Sequence, residues 1–184
     1  QVLTRLSDVM RSGQVFIAGG SVLLGLTALD PGAARLSNLP LRTRHTAFWS
    51  DGGAGDVDVF VCAESPEDCT LLAGQIWDAL AVDGEFWKCE RNRGVINMTK
   101  YSSKYCSPRH RQLVVQVVLR QYASLTEVLT CFDVDCCCVG MSMGFGGWKL
   151  WALPRCLRAL QTGRNVVNAI HAWPRSPAYE MRLT

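Results

Sequence analysis

Apolar positions change period several times along the chain, and each change marks an element. Val2, Leu3, Leu6, Val9 and Met10 recur at the spacing of one helix face, which predicts an opening amphipathic helix ended by Gly13. The run Gln14 to Ala18 then predicts a short buried strand. Gly19-Gly20 breaks it, and Ser21 is placed to cap an apolar helix from Val22 to about Leu29.

Residues 30–55 carry no period. Pro31-Gly32, Pro40, the basic stretch Arg42-Thr43-Arg44-His45 and Asp51-Gly52-Gly53 predict a long loop or insertion, a type that in compact domains is usually functional or mobile. Alternation returns from Asp56 to Cys62 and predicts a strand. Ser65-Pro66-Glu67-Asp68 supplies an N-cap, a proline at the first helical position and early acids, so a helix to about Leu80 follows, with Leu72, Ile76 and Leu80 on one face. Gly94 to Thr99 and Gln112 to Leu119 predict two strands joined by a polar loop. Ser124-Leu125-Thr126-Glu127 is a capping box opening a short helix that ends near Phe132. Val134 to Met141 predicts a further strand, Gly146-Gly147 a turn, Trp148 to Ala152 its hairpin partner, and Pro154 the start of a helix that Gly163 ends. Strands and helices mix without strict alternation, which predicts an α/β or α+β domain with one mixed central sheet flanked by helices.

Composition narrows the class. A chain of 184 residues suits one domain, 1–184, and 48% hydrophobic against 19% charged residues is the balance of a folded protein. The net charge of +3 is slight and its basic residues are spread out, which permits nucleic acid as a partner without indicating it. The nine cysteines are an odd number, and Cys136-Cys137-Cys138 falls in a predicted strand, where neighbours point to opposite faces and cannot form one metal cage. Without CxxC pairs, the cysteines read as reduced thiols of an intracellular, cytoplasmic protein. No signal peptide opens the sequence, and no apolar run approaches the ~20 residues of a membrane helix. The ends, Gln1 and Arg182-Leu183-Thr184, read as those of a domain cut from a longer protein.

Three features carry candidate chemistry. A glycine turn between a strand and a helix leaves backbone N–H groups free and lets a ligand approach the main chain, while the helix dipole favours anions. Gly19-Gly20-Ser21 can therefore hold a phosphate, with the Ser21 hydroxyl as an added donor, or can simply cap a helix. The alternation Asp56-Val57-Asp58-Val59 puts both carboxylates on one face of a strand, where they repel unless a cation lies between them. Hard oxygen ligands so arranged suit magnesium bridging to substrate phosphates, and solvated edge charges are the alternative. Asp133 and Asp135 repeat the geometry at the head of the next predicted strand, where one can serve as the third carboxylate that two-metal phosphoryl transfer needs and another can be structural.

Taken together, these residues resemble the nucleotidyltransferase superfamily related to DNA polymerase β, over roughly Phe16 to Asp135. The resemblance implies a nucleotidyltransferase-like fold in which the glycine turn holds a nucleoside triphosphate and three acids bind two Mg2+ ions, or Mn2+ in their place. Carried over, Gly19, Gly20 and Ser21 bind phosphates, Asp56, Asp58 and Asp133 are the catalytic metal ligands, and Asp135 is the rival third acid. The implied activity is transfer of a nucleotidyl group to a hydroxyl on protein, RNA or a small molecule. A catalytically inactive scaffold or interaction domain of a larger protein is the alternative. About 34 residues separate Ser21 from Asp56, more than that family usually has, so 30–55 reads as an insertion beside the site. The stretch Val114 to Gly140 is also similar to uncharacterised, often fungal, ankyrin-associated proteins, which implies no activity.

Secondary candidates for phosphate or RNA contact are Thr99, Ser102, Ser103 and Lys104 in one polar loop, and Arg109, His110 and Arg111 in the basic turn after it. The three histidines lie far apart and beside no nucleophile pattern, so a hydrolase triad has no support.

Overall fold

The computed structural model describes residues 2–29, 56–107 and 111–166. Among them lie five helices and seven strands in one sheet. The helices are α1 (Val2–Met10), α2 (Gly20–Leu29), α3 (Pro66–Leu80), α4 (Leu125–Thr130) and α5 (Pro154–Thr162). The strands are β1 (Val15–Ala18), β2 (Asp56–Val61), β3 (Phe86–Asn92), β4 (Val95–Tyr101), β5 (Arg111–Val118), β6 (Val139–Gly144) and β7 (Gly147–Ala152), in the order β3-β4-β5-β2-β1-β6-β7. Only β2 and β5 run parallel, a pairing that needs the intervening crossover through α3 and the β3–β4 hairpin. The fold is thus a mixed α+β domain.

Register divides the sheet into two faces, because directly paired residues share one. Val57 and Val59 lie opposite Val115 and Val117, and with Ile17, Met98 and Val61 they form a floor covered by Leu6 and Met10 of α1, Val22 of α2 and Leu72, Ile76 and Leu80 of α3. The other face carries a smaller cluster, in which Phe16 and Phe60 meet Tyr122, Leu125, Val128 and Leu129.

Local chemistry explains most element ends. Ser65 accepts the Asp68 N–H at 3.1 Å with Pro66 at the first helical turn of α3, and Ser124 accepts the Glu127 N–H at 3.3 Å at the start of α4. Gly163 closes α5 in a left-handed conformation.

Three expectations need correction. Ser21 does not cap α2: the helix begins at Gly20, so Ser21 lies within its first turn. Val134 to Met141 is not one strand, since Asp135–Cys137 forms a 3-10 turn and β6 starts at Val139. The cause is long-range: the buried Asp135 carboxylate is drawn to Arg155 and Arg158 of α5, and the turn closes on local bonds, Cys137 N–H to the Val134 carbonyl and Cys138 N–H to that of Asp135. Cys136 and Cys137 therefore sit on a turn, not on alternating faces of a strand. Finally, β3 was not predicted, because an almost fully exposed edge strand bears no apolar period; its pairing to β4 defines it. The long loop expected over 30–55, Arg109, and the histidines His45, His110 and His171 fall outside the described residues.

Candidate functional site

β2 places Asp56 and Asp58 on the sheet face opposite its buried valines, as period 2 requires, and both are half-buried. Register extends their rows across the sheet. Asp58 lies opposite Gln116 of β5, which lies opposite Asn97 of β4, while Asp56 continues through Val114 to Thr99. At the far end of β2 this face is closed: Phe60 packs edge-on against Tyr122 and Phe132, with ring centroids at 5.8 and 5.7 Å.

The glycine turn arrives from the neighbouring strand. Because β1 pairs with β2 and β6, Gly19 at its end donates its N–H to the Val139 carbonyl at 2.8 Å and has φ +89°, a conformation that glycine adopts without strain. A β-carbon there would stand 2.9 Å from Phe132 Cε1 and 3.7 Å from Asp58 Oδ2. Gly19, Asp58 and Phe132 therefore meet at one point, and the backbone can approach there only because position 19 has no side chain. The Gly19 carbonyl accepts the Val22 and Leu23 N–H groups at 3.1 and 3.2 Å, which leaves the N–H groups of Gly20 and Ser21 without an intrahelical acceptor, as at any helix start.

Ser21 is placed differently from the expected phosphate donor. Its side chain is buried, its hydroxyl has no hydrogen-bond partner among the described residues, and it borders an apolar cavity with Ile17 and Val57, on the sheet face opposite Asp58.

The two later acids separate. Asp135 is 2% exposed and engages Arg155 Nη1 at 3.5 Å, Arg158 Nη2 and the Val166 N–H at 2.9 Å, which makes it a structural anchor. Asp133 follows Phe132 directly and is half-buried beside Cys137. The pair does not share a strand face. Of the four acids, the structure thus brings Asp56 and Asp58 together with the glycine turn, sets Asp133 one residue from the aromatic ring that touches that turn, and turns Asp135 away to α5. Among the described residues no group of three or more His, Cys, Asp or Glu is arranged to hold a metal ion.

Arg155 was not anticipated. Its Nη2 donates to the carbonyls of Leu129, Thr130 and Phe132 at 3.1, 3.0 and 2.9 Å, and so fixes the segment that presents Phe132 to Gly19. A signal existed: an arginine one residue after the proline that opens a helix opposes the helix dipole, so it needs a partner elsewhere. Gln116 and Asn97 were also missed, although their alternation with valines, isoleucine and methionine marks the polar face of each strand. The Asn97 side-chain amide oxygen and the Ser103 hydroxyl are buried with no hydrogen-bond partner among the described residues. Thr99 is buried, whereas Ser102 and Lys104 are exposed and Lys104 stands over the Tyr105 ring.

The thiols near this region differ sharply. The neighbouring Cys137 thiol and, less, the Asn165 side chain, whose Oδ1 accepts the Cys136 N–H at 3.0 Å, draw Cys136 below the ordinary thiol value, while burial pushes Cys138 and Cys156 up to about 12 and about 11. No helix among the described residues is long and apolar enough to cross a membrane.

No curated protein matches this chain. A protein-family profile described as "Gad2: Gabija anti-defense 2 family protein" matches residues 2–162. That span takes in every helix and strand described above, together with Gly19, Asp56, Asp58 and Asp133. The chain belongs to the Gabija anti-defense 2 family.

Proposed function

We propose that this chain is a nucleotidyltransferase-like domain that binds a nucleoside triphosphate with magnesium, transfers its nucleotidyl group to a hydroxyl of a protein, RNA or small molecule with release of pyrophosphate, and thereby counteracts a Gabija-type defence. The observation that carries the reading is the closeness of the Gly19 turn to Asp58, whose Oδ2 would stand 3.7 Å from a β-carbon at position 19, on the face of β2 that also bears Asp56. The donor set fits a magnesium ion that arrives with a phosphate: two carboxylates on one face supply hard oxygens, and the ion ordinarily keeps waters and substrate oxygens as its remaining ligands. Asp56 and Asp58 would hold it, and when bound it offsets phosphate charge. The N–H groups of Gly20 and Ser21 would donate to phosphate oxygens at the positive end of α2. Asp133, beside Phe132, would accept the proton of the acceptor hydroxyl.

A second reading, nucleotide binding without transfer, draws on the identity of the neighbours: the residues of β5 directly opposite Asp56 and Asp58 are Val114 and Gln116, neither of which can accept a proton, and Asp135 is committed to arginines.

The test is a thermal shift of the full chain against the four nucleoside triphosphates, with and without magnesium, beside an Asp56→Ala, Asp58→Ala double variant. A ligand at a hundred times its dissociation constant adds about 2.7 kcal/mol of stability. Stabilisation by a triphosphate that needs magnesium and vanishes in the double variant is the expected result, and no shift with any triphosphate overturns the reading. Incubation with α-labelled triphosphates then separates transfer from binding alone.

A further inference from the structure

Among the described residues β7 is the last strand of the sheet, and the hairpin phase shows which of its backbone groups face outward. The Leu153 N–H donates to the Cys138 carbonyl at 3.0 Å, in line with the Gly144–Gly147 pair that closes the hairpin, so residues 147, 149, 151 and 153 turn their main chain to β6. The N–H and C=O groups of Trp148, Leu150 and Ala152 then point away from the sheet.

An unpaired edge is usually blunted by charge, proline or a covering element. This one instead presents apolar side chains on both faces: Trp148 (41% exposed) and Leu150 (53%) on one, Trp151 (48%) on the other, with Phe145 fully exposed at the hairpin tip. Leu150 and Met141 also line a cavity of about 150 Å³, together with Leu3, Ile17, Val22, Leu26 and the buried Ser21. That is room for one apolar side chain directly beside the edge. The charge of the edge is one-sided, because the whole hairpin 139–152 carries Lys149 and no acidic residue.

We propose that β7 receives an extended acidic segment of a partner protein as an eighth strand, with an apolar residue opposite Leu150 entering the cavity and an acidic residue opposite Lys149. Backbone pairing at Trp148, Leu150 and Ala152 supplies the affinity common to strand addition, and the alternation of apolar and acidic side chains supplies the selection. A basic segment is rejected at Lys149, and a segment without alternation cannot fill the cavity while keeping its acids on the other face. The inference does not rest on nucleotide binding: the cavity borders Ser21 and Val57 on the sheet face opposite Asp56 and Asp58, and the peptide test uses no nucleotide.

The test uses the full chain and an acetylated, amidated peptide of alternating Glu and Leu, beside a Lys/Leu peptide and a scrambled Glu/Leu peptide. Amide hydrogen exchange is read at Trp148, Leu150 and Ala152, and affinity by tryptophan fluorescence. The expected result is protection of those three amides by the alternating acidic peptide alone. Lys149 is exposed, so Lys149→Glu keeps the fold; it should weaken the acidic peptide about tenfold and transfer the preference to the Lys/Leu peptide. The proposal is overturned if the acidic peptide leaves the three amides unprotected or Lys149→Glu leaves the preference unchanged. It is equally overturned if the amides are already protected without peptide, because the edge is then covered by this chain or a second copy, or if a single-stranded oligonucleotide protects them in place of the peptide.

Discussion

Replacing Gly19 with alanine tests the point on which the candidate site depends. The perturbation has two parts. A left-handed backbone at φ +89° costs a residue with a β-carbon about 1–2 kcal/mol. The new methyl also stands 2.9 and 3.1 Å from Phe132 Cε1 and Cζ, closer than carbon atoms tolerate, so the ring must move. Arg155 holds the Phe132 carbonyl and Phe60 packs edge-on against the ring, so that movement is resisted and costs a further ~1–2 kcal/mol, the usual range for overpacking. The total is about 2–4 kcal/mol. Urea unfolding followed by tryptophan fluorescence reads this as a midpoint lowered by roughly 1–2 M, for a slope near 2 kcal/mol/M. Gly20→Ala is the control, since a β-carbon there meets nothing within 4 Å and alanine suits a helix start. Its midpoint should be unchanged or slightly raised. Shortening the ring by Phe132→Leu should recover part of the loss, with a coupling of about 1 kcal/mol in the double-mutant cycle. A Gly19→Ala variant as stable as Gly20→Ala, or purely additive with Phe132→Leu, would refute the contact of the glycine turn with Phe132.

Asp135→Asn keeps the shape of a 2% exposed side chain but leaves Arg155 and Arg158 without their anion, so a loss of about 3 kcal/mol is expected in the same urea assay; a loss below ~1 kcal/mol would mean the anchor is dispensable. Glu85 accepts hydrogen bonds from Arg5, Lys100 and Trp87, and the Arg5 guanidinium above all holds its carboxyl well below the usual 4.5. The folded value is lowered, so the stabilisation is complete above the ordinary carboxylate value and is lost as pH falls below it. Glu85→Gln should therefore lower stability by about 1 kcal/mol at pH 7, a gap that narrows toward pH 3; a pH-independent gap would contradict the ion-pair cause. Alkylation of Cys136 should set in at lower pH than that of Cys138 and Cys156, and Asn165→Ala should raise the pH it needs; peptide mapping by mass spectrometry reads all three, and equal pH profiles would contradict the ordering.

What the sequence determined by itself is what short-range geometry controls. The caps at Ser65 and Ser124, the amphipathic stripe of α1, the Gly146-Gly147 hairpin and the stop at Gly163 depend on residues within a few positions of one another, and their hydrogen bonds close locally. The placement of Asp56 and Asp58 on one face follows from strand period alone. The mixed sheet with helices packed on it was also legible, from the order of those periods.

Tertiary structure decided the rest, because the forces responsible act between residues far apart in sequence. Asp135 lies on a turn instead of a strand because two guanidiniums from α5 outweigh a local alternation that favours extension. β3 exists because β4 offers a free edge, although its own side chains bury almost nothing. Ser21 looked like a donor beside the acids, yet burial of α2 against the valine floor carries it to the opposite face. Gly19 reaches Asp58 only because β1 pairs with β2 across residues 30–55, a contact that no local period encodes. The residue types of the site are thus written in the sequence, whereas their proximity is set by strand order, which the chain selects by burying its most apolar strands, β1 and β2 beside β5, at the centre of the sheet.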